Sequence, residues 1–408
     1  MKRFVKALVI LMFLCSCTVG IINYATYVID YCQWSGARTS YSTSAHPYIP
    51  INTKTISSLE TIYNVEATGG TSQPRLDVTF SPDGQLLIAS GRVVSYDLSS
   101  SGGGPSSCGS LWGISLQNDG QSWSSDIAVF HTKYTGDTVT SVTFSENGEF
   151  IIVNQSRGAE VWKTNPFQLL YSLDTPHEPA VFIARGEMIA YQVKNEIRLI
   201  DTETQQPVSH FTKQTYKSGL AGDFNNLLAT DDGNGTVQVW DATTGTTISE
   251  IASDINLPYS PMAFSLDSNL LAFGTDTGAY LWDFHNNSIK HLVKTKTGEI
   301  KFDAQGNYIA VRNGLSLALW NLNESRLIIE MNRSGGAFGI AFNHSGDLLA
   351  SGWKDSLEFV DLSTGAVIKT VPNLRGSIRD LEFSPDDRFL AAAFLNGDVM
   401  IWGVPQNT

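Results

Sequence analysis

The sequence predicts an all-β chain: an eight-bladed β-propeller of four-stranded blades, closed by an N-terminal strand. Three observations predict it. One phrase recurs along the chain, and VTFSPDGQLLIAS at 78–90 and LEFSPDDRFLAAA at 381–393 are its clearest copies. A strand end carrying Trp, Asp or both follows most copies about 18 residues later. The copies are spaced by 38 to 43 residues, apart from one interval of 64, and that period is the length of one four-stranded blade.

Each copy opens on an anchor. The anchors are Phe80, Phe144, Phe182, Phe264, Phe302, Phe342 and Phe383, with Ala221 in the anchor place of one copy. A polar turn follows, such as SPDG, SENG or DAQG, and then an apolar second strand such as LLIAS or FIIV. Asp231, Asp232, Asp276 and Asp355 stand in the next turns, where their carboxylates are expected to bond to the local backbone. The third strand ends VWK at Trp162, LID at Asp201, VWD at Trp240, LWD at Trp282, LWN at Trp320, FVD at Asp361 and IWG at Trp402. Turns such as ATTG and LSTG lead to outer strands such as TTISEI and AVIKTV. A sheet covered on both faces reads as apolar runs instead of clean alternation. One such sheet cannot bury both faces alone, so the ring must close.

The last copy has only VPQNT after its third strand, while SSLETIYNVEA at 57–67 precedes the first anchor. The N-terminal segment is therefore expected to supply the missing outer strand and leave no open edge. The interval of 64 follows Phe80 and contains SSSGGGPSSCGSLWG at 99–113, a Gly/Ser-rich insertion. Either Tyr96-Asp97 or Trp112-Gly113 could end the first blade's third strand.

These repeats resemble the WD-repeat β-propeller family across residues 56–403. The resemblance implies ring closure of the kind just described and a role in binding. One departure is plain. The Gly-His pair that usually precedes each blade is replaced by segments such as KSG, TGE and LRG, so the family's Trp-Ser-His-Asp hydrogen-bond set is incomplete.

The first residues say where the chain works. MKRFVKALVILMFLCSC has a basic start and a wholly apolar stretch at 7–14, the grammar of an export signal. Its ending LCSC resembles the bacterial lipoprotein box. Residues 1–16 are read as signal peptide, with Cys17 acylated and the mature N-terminus. Residues 17–55 are read as lipid anchor and tether, 56–403 as propeller and 404–408 as tail. The expected location is extracytoplasmic, on a membrane through the lipid. Formal charge is −13, and loss of Lys2, Arg3 and Lys6 takes it to −16. Such an acidic chain without a basic stripe is a poor nucleic-acid binder. Of four cysteines, Cys32 and Cys108 would remain after processing and lipidation, and an export compartment permits a disulfide between them.

Catalytic signals are thin. The seven histidines show no metal-binding spacing, and there is no G-x-S-x-G elbow or phosphate loop. DATTG at 241–245 and DLSTG at 361–365 share a turn with quinone-cofactor propellers, but the docking Trp is missing, and no cofactor or metal is expected. The reading is a monomeric, non-catalytic binding scaffold for a protein partner. A hydrolase or ligand-binding propeller with polar residues at the central channel, or a translocation-type periplasmic propeller, is the alternative. Trp353 and Phe394 each lie eleven residues past an anchor, and with Arg375 they form the expected partner-binding patch.

Overall fold

In the computed structural model the described residues are 38–41, 48–66, 77–95, 106–115, 129–135, 139–175, 179–194, 196–212, 219–223, 225–232, 235–252, 261–333 and 337–406. They form a ring of antiparallel sheets, all but one of them a meander running from the centre outward. Blade 1 spans 77–135, blade 2 spans 139–173, blade 3 spans 181–212 and blade 4 spans 220–252. Blade 5 spans 262–293, blade 6 spans 299–332 and blade 7 spans 337–371. This corrects the expected count: the four-stranded blades number seven, not eight. The sheet between blade 7 and blade 1 is six-stranded, because it gathers chain from both ends.

That closing sheet joins Ile378–Phe383, Phe389–Phe394 and Val399–Pro405 to the N-terminal strand Glu60–Glu66. The register runs from Glu60 opposite Gly403 to Val65 opposite Val399. Arg38–Tyr41 adds a further strand outside, and Tyr48–Ile49 pairs with Val404 and Pro405. The segment expected as tether is thus part of the ring from residue 48 onward. Ile51 and Ile56 are buried, Ile51 donates its amide to Asp387 O at 2.7 Å, and Thr53 donates N–H and hydroxyl to Asp347 at 3.0 and 2.9 Å. Residues 404–405, expected as tail, belong to the last strand. Cys17 and Cys32 lie outside the described residues, so the lipid and the Cys32–Cys108 bridge do too.

The recurrent phrase folds as its residue types require. In the first turn Ser81 accepts the Leu86 amide at 2.9 Å and donates to Asp83 at 2.5 Å, while Gly84 takes the left-handed conformation at φ +69. Ser145, Ser265 and Ser384 repeat the bond, and Asp223, Asp303 and Asn343 make it with a carbonyl or carboxylate oxygen. Blade 3 departs: Ala184 has no such oxygen, and a short 3-10 turn replaces the bond. At the far end of the third strand, Asp201, Asp241, Asp283 and Asp361 each accept two backbone amides of the following turn.

Pairing register corrects two readings. Trp162, Trp240, Trp282, Trp320 and Trp402 all face the second-strand residue seven past the anchor or, in blade 4, its equivalent Leu228. In blade 1 that residue is Leu87, and it faces Ile114. Ile114-Ser115 therefore holds the place, not Trp112-Gly113, and Tyr96-Asp97 lies outside the described residues. The ten-pair hairpin of Leu86–Ser95 with Ser106–Ser115 accounts for the long interval. In blade 4, Gly222 pairs with Leu228, so Gly222 and not Ala221 stands at the anchor position. Sequence spacing hid this because the blade 4 turn is one residue shorter. A Cβ on Gly222 would come within 2.6 Å of Phe182 O and 2.7 Å of the Ile183 side chain, so blades 3 and 4 approach too closely there for any anchor side chain.

The incomplete hydrogen-bond set is visible in the strand-end tryptophans. Trp240 donates to Thr230 at 2.9 Å, whereas the buried indole N–H groups of Trp320 and Trp402 meet no protein acceptor.

Ile62 seals the closing sheet against its neighbours and is 2% exposed. Ile62→Ala is expected to cost about 2–4 kcal/mol, because a large buried side chain leaves a cavity. Urea unfolding checks it. A loss within about 0.5 kcal/mol, the range of a surface change, would show that strand 60–66 does not seal the ring.

Candidate functional site

The innermost strands line a central channel, and consecutive residues along them mark depth. Val139, Thr140, Gly298, Glu299 and Asp380 stand at one cavity, and Thr143, Phe144 and Ile300–Ala304 stand at another. The inner strands therefore run from the first cavity to the second.

One residue of each inner strand immediately precedes the anchor position, and together these form a layer around the channel. By register the layer holds Thr79, Thr143, Val181, Ala221, Ala263, Lys301, Ala341 and Glu382. Its two long charged side chains, Lys301 and Glu382, flank Ala341 on one side of the ring. The members from blades 2 to 5 are small or medium, and that side is hollow.

The charged side is a girdle of bonds between blades. An innermost strand is a sheet edge, whose outward N–H and C=O groups need partners. Asp380 accepts the Val78 amide at 3.1 Å and Glu382 accepts the Phe80 amide at 3.1 Å, so two carboxylates of the closing sheet bind the edge of blade 1. Asp77 of blade 1 accepts the Val142 amide of blade 2 at 2.7 Å. Lys301 of blade 6 donates to Ile340 O of blade 7 at 2.8 Å and lies 3.3 Å from Glu299 and 3.9 Å from Asp380. Arg312 donates to Glu299 at 2.7 Å.

The shifts follow from this crowding. Burial, then repulsion from Asp380, pushes Glu382 up to about 7, with Lys301 opposing. Burial and the Asp380 carboxylate, which shares a hydrogen bond with it, raise Asp77 well above the usual range. Burial works against the Lys301 charge, but Glu299, Asp380 and Glu382 outweigh it and hold the ammonium above the ordinary lysine range. The oxygens of Asp77, Asp380 and Glu382 hold backbone amides. The girdle reads as a ring clasp.

The hollow side is a vestibule of about 540 Å³. Phe144, Phe182, Met262, Phe264, Phe302 and Leu266 supply apolar surface, and Leu266 stands 60% exposed at the rim. Lys301, at 36% side-chain exposure, borders the vestibule from the girdle side. The vestibule's acids are already engaged: Asp223 accepts the Asn225 and Leu227 amides and the Ser268 hydroxyl, and Asp303 accepts the Tyr308 amide. At the opposite end a smaller cavity of about 190 Å³ lies among Asp77, Glu299, Arg312, Arg379 and Asp380. Among the described residues, no group of three or more His, Cys, Asp or Glu is placed to hold a metal ion, and no helix is long and apolar enough to cross a membrane.

The expected patch is divided. Trp353 is 3% exposed in the core between blades 6 and 7, with the Arg333 guanidinium 5.6 Å from its ring, and Phe394 is 1% exposed in the core of the closing sheet. Both rings fill sheet interfaces because their strands are covered on both faces. Arg375 is exposed and shares a cavity of about 360 Å³ with Phe394, Leu374 and Met400, apart from Trp353. Sequence reading missed the vestibule. The signal was the residue before each anchor, where Val, Ala and Ala replace Lys and Glu.

A family model for the WD domain, G-beta repeat, matches residues 367–403. With the ring of meander sheets, that match supports a WD-repeat propeller. No curated protein matches the chain. Among solved structures, the crystal structure of the computationally designed Ika8 protein is similar in fold, with a TM-score of 0.62 at 16% identity over 83% of this chain and 98% of that one.

The titrations set a direction for stability. Glu382 ionises near 4.5 when free and about 7 in the ring, so the folded state holds its proton more tightly and stability falls as pH rises between those values. Asp77 acts in the same sense. His344, raised chiefly by its bond to Asp387, contributes stability below its free value of 6.5 and loses it as pH rises through the folded one. Asp201, Asp283 and Asp361 are held below the usual range, so their contribution is lost only in strong acid. The protein is expected to melt higher at about pH 5 than at about pH 8, and Glu382→Gln should remove about 1–3 kcal/mol of that difference. Urea unfolding at both pH values checks it. An unchanged difference in the variant would show that Glu382 does not titrate in this window.

Proposed function

We propose that the protein is a non-catalytic binding scaffold, exported and held on a membrane by a lipid on Cys17, that engages a protein partner through the face onto which the vestibule opens. WD40 propellers commonly serve as protein-interaction scaffolds. The observation that carries the reading is the vestibule itself. It is concave, mostly apolar and of the size usual for binding sites, and an exposed Leu266 stands at its rim. Asp77, Asp380 and Glu382, carboxylates that a hydrolase would need free, are bound to backbone amides.

The two parts of the proposal separate experimentally. Cys17→Ser should abolish fatty-acid labelling and release the protein from membranes, and undiminished labelling would contradict the lipid anchor. A photo-crosslinking residue at Leu266 should give a discrete adduct in cells. The same residue at Leu315, 62% exposed in the turn between the second and third strands of blade 6, lies on the opposite face and should not. Equal adducts at both positions, or none at Leu266, would contradict the assigned face.

A further inference from the structure

We infer that the vestibule is a receptor for an uncharged aromatic group, and that the division of the inner-ring layer between blades 2–5 and the rest creates the site. The inference rests on the reading of this face as the binding face and names the chemistry it accepts.

Shape comes first. Thr143, Val181, Ala221, Ala263 and Lys301 of the layer all border the cavity, and four of the five do not reach far into it. Had these positions carried side chains as long as Lys301 or Glu382, the channel would be filled. The half-buried anchors Phe264 and Phe302 border the cavity beside Met262, and the buried anchors Phe144 and Phe182 back it from the cores of their blades. Two half-buried phenyl rings at one space favour a planar guest, which can meet them edge-on or offset.

Charge decides the rest. Among the described residues the one cation at the cavity, Lys301, is already surrounded by Glu299, Asp380 and the Ile340 carbonyl. The two acids among the described residues there, Asp223 and Asp303, are occupied by backbone amides and the Ser268 hydroxyl. A charged guest would lose its hydration and find no unengaged partner among these groups. A neutral ring loses little and buries apolar area. Such a group could arrive on a free small molecule or on an aromatic side chain of the partner.

The test uses the purified full chain and three water-soluble probes with one ring system: 2-naphthylacetamide, 2-naphthylacetate and 2-naphthylethylamine. Calorimetric titration should show saturable one-to-one binding of the amide, at least tenfold tighter than either ion. Ala263→Phe fills the cavity from blade 5, and Thr143→Trp fills it from an exposed position in blade 2, so the second remains informative if the first impairs folding. Each variant that melts as the parent does should weaken the amide at least tenfold, and Leu315→Ser should not change it. Competition by N-acetyl-tryptophanamide but not by N-acetyl-alaninamide would assign a side chain as a competent source. Preference for either ion, absence of saturable binding, or full binding in a correctly folded Thr143→Trp would overturn the inference. Failure here with a specific adduct at Leu266 would leave the face and remove the chemistry. Binding here without that adduct would do the reverse.

Discussion

Closure of the ring is the constraint on which everything else depends. Each sheet has two apolar faces, and each face is buried only if a neighbour covers it. The covering fails at one place in any linear chain, where the last repeat must meet the first. Here the seam is closed twice. On the outside, strand Glu60–Glu66 pairs with Val399–Pro405, and residues 48–56 are bonded beneath blade 7 and the closing sheet through Asp347, Asn343 and Asp387. On the inside, Asp380 and Glu382 bind the amide edge of blade 1, and Asp77 passes the same contact to blade 2.

The inner seal divides the channel. Carboxylates that hold backbone amides here crowd one another, their repulsion raises Asp77 and Glu382, and Lys301 opposes it at Glu382. Long charged side chains therefore crowd the part of the ring nearest the seam. Away from the seam no such clasp is present among the layer residues, and Val181, Ala221 and Ala263 leave space. The hollow side follows from where the chain had to be joined and where it did not.

Much of this was legible in the sequence. The anchors, the Ser-x-Asp-Gly turns and the Trp strand ends specify local hydrogen bonds, and local bonds repeat wherever the residues repeat. The N-terminal closing strand was legible because the last copy lacked its outer strand. What escaped depends on register between strands. Ile114 in the tryptophan place and Gly222 in the anchor place are hidden by a long hairpin and a shortened turn, which shift spacing without changing pairing. Burial on both faces escaped as well. Trp353 and Phe394 look like surface aromatics at a strand end, yet neighbouring sheets cover them. The vestibule is a property of one residue from each inner strand, and no local window contains it.

Side-chain carboxylates, not backbone pairing, hold the channel edge of the seam. Residue-resolved amide hydrogen exchange tests it most directly at Val78 and Phe80, whose N–H groups are held by Asp380 and Glu382. Slow exchange is expected at both, comparable to core strand amides. Selective loss of protection is expected at Val78 in Asp380→Ala and at Phe80 in Glu382→Ala. Exchange of both amides at the rate of free edge positions in the unmodified protein, or protection unmoved by either substitution, would contradict it.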